Sequence, residues 1–308
     1  MGLVKARKFT YVLSLVLMVA SLASLFVYGL KLGIDFTGGS VVEVEFSPAA
    51  AGRPGEEVLH EKMSELGLGQ FVLQPAGESG FSLRTRELGE ADGRRILGVF
   101  SSFGEIKHFS VASVDPLIGR ELRTRSVWAA LLVLAAIILY IAFAFRKVSK
   151  PARLPDGQVS SWFYGLAAVI ALFHDIFIPL GVFSALGHFQ GVEIDTLFVT
   201  AILTVLGFSV HDTIVVFDRI RENLKLNPGR NFEEIVGTSL SQTIVRSVNT
   251  SLAVLVVLSA LYFFGPASTQ YFALALIIGI VAGTYSSIFI ASPLLVTWNN
   301  FRSKKALK

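Results

Sequence analysis

Residues 196–217 read TLFVTAILTVLGFSVHDTIVVF, a run in which His211 and Asp212 are the only ionisable side chains. An α-helix rises 1.5 Å per residue, so about 20 apolar residues cross the ~30 Å hydrocarbon core of a bilayer. The run therefore predicts a transmembrane helix that carries a carboxyl group. We expect that carboxyl group to have a function, because ionised side chains are costly at membrane depth.

Five further apolar runs of similar length occur elsewhere in the chain. Of the 308 residues, 53% are hydrophobic and only 16% are charged, whereas soluble domains average about 25% charged residues. We therefore predict an α-helical integral membrane protein with six transmembrane helices. The other five spans are predicted at Phe9–Leu30, Val127–Phe145, Ser160–Leu186, Ser247–Phe264 and Tyr271–Trp298.

Basic residues cluster on one side of the predicted membrane. The short loops 187–195 and 265–270 contain no Lys or Arg, whereas both termini and the longer loops at 146–159 and 218–246 are basic. The positive-inside rule places the basic segments in the cytoplasm. The predicted organisation is a cytoplasmic N-terminus and first span in residues 1–30, an external domain in 31–126, and a five-span bundle with a cytoplasmic C-terminus in 127–308.

The segment 31–126 predicts a small folded domain. Between Gly38 and Asp115 the hydrophobic period switches between two and about 3.6 residues, which indicates a strand, a helix, two strands, a helix and a strand. This order is that of an α+β ferredoxin-like domain. The predicted strands are residues 40–46, 70–74, 81–86 and 106–114, and the predicted helices are residues 54–66 and 88–103.

Several classes of function are excluded by composition and motifs. The chain has no Cys, which excludes disulfides, thiolate zinc sites, iron–sulfur clusters and a cysteine nucleophile. No G-x-x-x-x-G-K-[ST] phosphate loop occurs, which argues against ATP hydrolysis. The net charge of +4 is explained by Lys and Arg at the ends of the spans, so nucleic acid is not an expected partner. We expect no enzyme activity, no metal and no cofactor.

Asp212 and Arg246 are the candidate proton-relay residues. An ionised Asp at the centre of a span costs about 2.5 to 3.5 kcal/mol, so Asp212 needs a partner or a proton. Arg246 begins the fifth predicted span from the same side of the membrane, and its guanidinium could hold the carboxylate until a proton displaces it. Two alternatives remain: a fixed salt bridge that joins two helices, or an Arg246 that extends towards lipid headgroups.

Three more ionisable side chains lie inside predicted spans. His174 and Asp175 are near the middle of the third span, and His211 precedes Asp212 in the fourth. Histidine exchanges protons near neutral pH, so these residues are further candidates for a proton route. For each histidine, a satisfied interior hydrogen bond is the alternative.

Glycines mark two other features of the sequence. Small residues recur every four positions along the sixth span and include Gly279 and Gly283, a pattern that lets helices approach closely in lipid. Gly38 and Gly39 join the first span to the first strand, and we interpret them as a flexible hinge because glycine accepts backbone angles that other residues resist. In the basic loop 218–246, residues 232–245 predict a helix that either lies on the membrane surface or is a plain connector.

Specific motifs are spread over nearly the whole chain. They read GIDFTGG at 33–39, HDTIVVFDRIREN at 211–223 and RSVNTS at 246–251, and VDP at 114–116 and GREL at 119–122 accompany them. Together with the His174–Asp175 pair, these motifs resemble those of the SecF family, which are membrane subunits of the bacterial protein-export machinery. At position 211 that family usually has Asn, whereas this chain has His.

The resemblance implies a six-span bundle of the resistance-nodulation-division type that is completed by the similar subunit SecD. It also implies action beside the SecYEG channel, after the SecA motor, with the proton gradient assisting unfolded preproteins across the inner, cytoplasmic membrane. Asp212 and Arg246 match positions that the family associates with the proton route. Asp35, Gly38 and Gly39 belong to its first motif.

The predicted function is therefore that of a non-enzymatic subunit that converts proton flux into movement of its external domain. A proton-driven half-transporter for small-molecule efflux is the first alternative, although an external module of about 80 residues is small for enclosing a substrate. A purely structural scaffold for the export channel is the second alternative, in which the charges inside the membrane serve packing alone.

Overall fold

The computed structural model describes residues 4, 6–47, 54–76, 79–145 and 161–306. The chain divides into two compact units, of which Leu32–Val127 is one. The other combines Met1–Lys31 with Trp128–Lys308. The first unit is a small α+β domain and the second is a bundle of long helices.

The domain contains one antiparallel four-stranded sheet with the strand order β2-β3-β1-β4. The predicted succession of strands and helices is present, with ends that lie within two residues of the predicted ones. The strands are β1 (Gly39–Phe46), β2 (Val72–Ala76), β3 (Gly80–Thr85) and β4 (Ile106–Val114), and the two domain helices are Glu56–Glu65 and Glu90–Ser101.

The period-two pattern of β1 explains why this sheet forms. Val42, Val44 and Phe46 point to one face and are buried, while Glu43 between them is exposed. The two domain helices cover that face, and Phe46 packs edge-on against Phe100 of the second domain helix, with ring centroids 6.2 Å apart. Burial of these side chains gives the domain a core of its own.

Six helices are long and apolar enough to cross a membrane, which confirms the predicted number of spans among the described residues. The sixth helix contains a π-helical turn at Ser287–Ala291. We number them from the first to the sixth span. They are Arg7–Tyr28, Pro116–Phe145, Ser161–Gln190, Thr196–Leu226, Phe232–Phe264, and the sixth span from Ala267–Ser286 through the π turn to Ser292–Ala306.

The helices extend beyond the apolar runs from which they were predicted. The second span begins at Pro116, well ahead of Val127, because the polar segment before the apolar run is also helical. The predicted cytoplasmic loop 146–159 lies outside the described residues.

The helix predicted from residue 232 is present, but it is not a separate helix on the membrane surface. The fourth span continues to Leu226, and one uninterrupted helix runs from Phe232 to Phe264. The apolar stripe of residues 232–245 packs into the core of the bundle, where Ile235, Val236 and Leu240 are buried. Periodicity identified that stripe, but it cannot distinguish an apolar face that meets lipid from one that meets other helices.

Candidate functional site

The fourth span presents one buried face to the bundle. The Asp195 side chain begins this helix by accepting a hydrogen bond from the backbone N–H of Phe198 at 2.8 Å, which satisfies one of the free donors at a helix N-terminus. One buried face of this helix carries Val205, Ser209 and Asp212. They are spaced four and three residues apart, which places them on the same side of the helix. His211 lies on the opposite side and is exposed.

Asp212 is held inside the bundle with unsatisfied hydrogen-bonding capacity. Its side chain is 3% exposed, and within the described part of the chain its Oδ2 atom has no hydrogen-bond partner. Ser247 of the fifth span is close enough to interact with this carboxyl group, but its buried Oγ makes no well-aligned hydrogen bond in the described residues. A buried carboxyl oxygen without a donor favours a bound proton or a water molecule.

Arg246 does not hold Asp212 in this structure. Arg246 is exposed, whereas its neighbour Ser247 is 1% exposed and points into the bundle. Successive residues of a helix are about 100° apart, and here Ser247 takes the inward position while Arg246 lies on the exposed side. Within the described ranges no ion pair joins Arg246 to Asp212, which differs from the direct pairing considered from the sequence.

His174 and Asp175 lie at the centre of a second polar cluster, and this cluster joins three spans. Asp175 is fully buried and its Oδ1 accepts a hydrogen bond from His174 Nδ1 at 3.0 Å. Its Oδ2 accepts hydrogen bonds from Ser209 of the fourth span and, at 2.8 Å, from Ser286 of the sixth span. The third, fourth and sixth spans therefore meet at one carboxyl group.

The two predicted packing glycines bring the sixth span against the fourth. A Cβ atom added at Gly279 would lie 2.2 Å from Cγ2 of Val205, and one added at Gly283 would lie 3.0 Å from Cβ of Ser209. A side chain at Gly279 would force Val205 to move, and one at Gly283 would be in tight contact with Ser209. Gly283 thus places the sixth span where Ser286, one turn further on, reaches Asp175.

Gly38 and Gly39 lie in a crowded junction of the domain. Both have positive φ values, +75° and +108°, and a Cβ atom added at Gly38 would lie 2.4 Å from Cα of Pro116. A Cβ at Gly39 would lie 2.7 Å from the carbonyl oxygen of Thr85. Close contact of backbone atoms, in addition to backbone freedom, therefore accounts for glycine here. Asp35 belongs to the four-residue helix Ile34–Thr37 that leads into this junction.

Sequence reasoning missed the serines that surround the carboxyl groups. Ser209, Ser247 and Ser286 attracted no attention because serine is common in membrane spans and carries no charge. Spacing could have identified one of them, since Ser209 precedes Asp212 by three residues and so shares its helix face. Among the described residues no group of three His, Asp or Glu side chains could hold a metal ion.

Family models and a curated relative match this chain along most of its length. Residues 98–154 and 158–301 match the family model described as "Protein export membrane protein SecD/SecF, C-terminal", and residues 23–50 match the SecD/SecF GG motif. The Protein translocase subunit SecF of Thermobaculum terrenum is 46% identical, over 97% of this chain and 94% of that protein. The chain belongs to the SecF family.

A second SecF relative and a solved SecDF structure are also similar to this chain. SecF of Anaerolinea thermophila is 36% identical over 96% of this chain and 92% of its own length. A crystal structure of SecDF, described as a translocon-associated membrane protein from Thermus thermophilus, is 33% identical with a TM-score of 0.80. That match covers 97% of this chain but only 39% of the SecDF chain, so this chain spans about two fifths of it.

These relatives assign the chain as a SecF subunit of the Sec translocase and do not favour the small-molecule efflux alternative. The GG-motif match at 23–50 includes Gly38 and Gly39. The C-terminal match includes both polar clusters, at Asp175 and at Asp212. Protein transport and a multi-pass membrane location follow for this SecF chain.

Proposed function

We propose that this SecF subunit works with SecD to use protons that cross the membrane in assisting the translocation of unfolded preproteins. The observation that carries the proposal is the buried Oδ2 of Asp212, which has no hydrogen-bond partner among the described residues. A carboxyl group in that situation gains from binding a proton and, once ionised, gains from a cationic or hydroxyl partner. Such a group can alternate between two states.

The energy available is of the right size for coupling. One elementary charge that moves through 100 mV supplies about 2.3 kcal/mol. Coupling free energies between sites in a protein are typically about 1 to 3 kcal/mol. One proton per cycle at Asp212 is therefore enough to shift the equilibrium between two arrangements of the helices.

SecD is the partner that we propose for the exposed polar residues of the fourth and fifth spans. His211 and Arg246 are both exposed on helices long enough to span a membrane, and ionisable side chains inside a membrane rarely face lipid. In the solved SecDF relative, the matched part is 39% of a longer chain. A SecD neighbour would cover Arg246 and could bring an acidic group to it.

The placement in the cell is proposed from charge and topology. Cytoplasmic termini and an external position for residues 31–126 are supported by the positive-inside rule, and the inner membrane is supported by the SecF relatives. The antiparallel strand order β2-β3-β1-β4, with one helix between β1 and β2 and another between β3 and β4, supports a ferredoxin-like domain. SecYEG, SecA and the preprotein are proposed as further partners, and the subunit itself is proposed to be non-enzymatic.

The decisive experiment measures export of a reporter preprotein into membrane vesicles that contain the complete SecD–SecF complex, with and without an imposed pH gradient. We expect Asp212→Asn to abolish the increment that the gradient provides, because the amide cannot bind and release a proton. Asp218→Asn is the matched control: Asp218 is on the same helix but is exposed and paired with Arg221. Full gradient-driven export by Asp212→Asn would refute the proton-driven function and favour the alternative of a structural scaffold.

Arg246→Met tests the exposed guanidinium separately. We expect it to reduce the increment that the gradient provides. A full increment in Arg246→Met, with the increment lost in Asp212→Asn, would show that the guanidinium takes no part in the route.

A further inference from the structure

The cluster around Asp175 is unusually complete for a polar group inside a membrane bundle. Its carboxyl group accepts hydrogen bonds from His174, Ser209 and Ser286. The donors come from the third, fourth and sixth spans, and Asp175 itself is fully buried. Three donors are enough to offset much of the cost of one negative charge at this depth.

The histidine of the pair has a second nitrogen that is unused. His174 is 3% exposed, and in the described ranges its Nε2 atom is buried with no hydrogen-bond partner. A buried imidazole that is held at Nδ1 by a carboxylate can take up a proton at its other nitrogen. The pair therefore offers two positions, Nε2 and the carboxyl group, for one additional proton.

We propose that His174 and Asp175 form a second proton-accepting site, which exchanges protons with Asp212 through the hydroxyl group of Ser209. The inference rests on the proposed function, since it takes Asp212 to be the group that delivers the proton. Ser209 bonds Asp175 and lies one turn before Asp212 on the same buried face. Ser209 thus binds one carboxyl group and lies one helical turn from the residue that carries the other.

The transfer conserves atoms and charge. A proton that leaves Asp212, directly or through a water molecule, is accepted by Ser209 Oγ, and Ser209 passes its own hydroxyl proton to Asp175 Oδ2. Ser209 ends unchanged, Asp212 becomes an anion, and the His174–Asp175 pair changes from a net charge of −1 to zero. The reverse transfer restores both groups.

Protonation of Asp175 also changes the contacts between helices. As a carboxylate, Oδ2 accepts from both Ser209 and Ser286. Once Oδ2 carries a proton it becomes a donor and loses one acceptor position. Ser209 then accepts from the new O–H with its own hydroxyl proton on the side of Asp212, and the protonated Oδ2 is a weaker acceptor for Ser286. The site therefore links a proton to the strength of the hydrogen bond between the third and sixth spans.

The groups that surround the pair are few in the described residues. From the sixth span, the Tyr285 ring faces His174 with centroids 6.0 Å apart, and its hydroxyl donates to the Thr10 carbonyl of the first span at 3.0 Å. On the fourth span, Asp212 lies one turn from Ser209, and the exposed His211 interacts electrostatically with Asp212. Within the described residues, the ionisation of Asp212, His211 and Tyr285 has to be separated from that of the pair.

The experiment is infrared difference spectroscopy of the reconstituted full complex after a pH step, which detects the C=O band of each carboxyl group that gains a proton. We expect two bands, one lost in Asp175→Asn and the other in Asp212→Asn. Ser209→Ala and Ser286→Ala keep Asp175 but remove a hydrogen bond from it, so each should shift the frequency of the Asp175 band. Ser292→Ala is the matched control, because Ser292 is equally buried in the sixth span and donates only to the Ser287 carbonyl.

The outcomes separate the two proposals. If Asp212→Asn removes a band and Asp175→Asn leaves the spectrum unchanged, the second site is refuted and the proposed function stands. If Asp212→Asn changes neither the spectrum nor gradient-driven export, the proposed function itself fails. If Asp175→Asn does not fold, Ser209→Ala and Ser286→Ala provide the test. The second site is refuted if neither variant shifts the frequency of any C=O band, as is expected for Ser292→Ala.

Discussion

Replacing Gly38 by Ala tests whether the double glycine is a crowded junction or a free hinge. The added Cβ would lie 2.4 Å from Cα and 2.8 Å from N of Pro116. These are backbone atoms that cannot rotate away, so the chain must shift to make room. Gly69 is the matched control in the same domain, because its φ of +76° is almost that of Gly38 and a Cβ there meets nothing within 4 Å.

The expected difference follows from these contacts. A non-glycine residue with a positive φ costs about 1 to 3 kcal/mol at either position. Overpacking adds about 1 to 3 kcal/mol at Gly38 alone. Since about 1.4 kcal/mol corresponds to a factor of ten in an equilibrium constant, the open form of the domain should be about 5- to 150-fold more populated in Gly38→Ala than in Gly69→Ala.

Thiol labelling measures this population in the full-length protein. The chain has no Cys, so Met63→Cys, at a fully buried position of the domain core, introduces a single thiol that reacts only when the domain opens. Its labelling rate follows the open population when reclosing is fast. Equal labelling rates in Gly38→Ala and Gly69→Ala would refute the crowded junction and restore the hinge.

Two further predictions concern the bundle. Gly279→Ala should destabilise the bundle by about 1 to 3 kcal/mol in a thermal unfolding assay. The new methyl group would lie 2.2 Å from the Val205 side chain, which is β-branched and therefore stiff. Gly207→Ala, where nothing lies within 4 Å, should be neutral or slightly stabilising in the same assay. Asp195→Ala should cost about 0.5 to 2 kcal/mol by removing the cap at Phe198, and Asp195→Asn should retain most of that stability.

Much of the fold could be predicted because its signals are local. The alternation of Val42, Val44 and Phe46 defines a strand whatever else the chain does, and the apolar runs define spans by length alone. The first turns of the helix from Phe232 were predicted to contact the membrane surface, but they pack against other helices. Which neighbour an apolar face meets depends on the rest of the fold. That information is absent from a single segment.

The site was predictable only in part for a similar reason. Asp175 and Asp212 stand out because a charge in an apolar run is costly. The direct Asp212–Arg246 pair considered from the sequence is absent from the described structure, because neighbouring residues on a helix point in different directions and Ser247 occupies the inward position. The serines that bind Asp175 come from distant parts of the chain, so only the folded bundle brings them together.

The uninterrupted fifth span has a mechanical consequence. Its 33 residues form a rod about 50 Å long, about 20 Å more than the hydrocarbon core is thick. The helix is continuous through Ser247, which faces Asp212. If this helix tilts beside the carboxyl group of Asp212, both of its ends move. A protein bound to either end would then respond to a change inside the membrane.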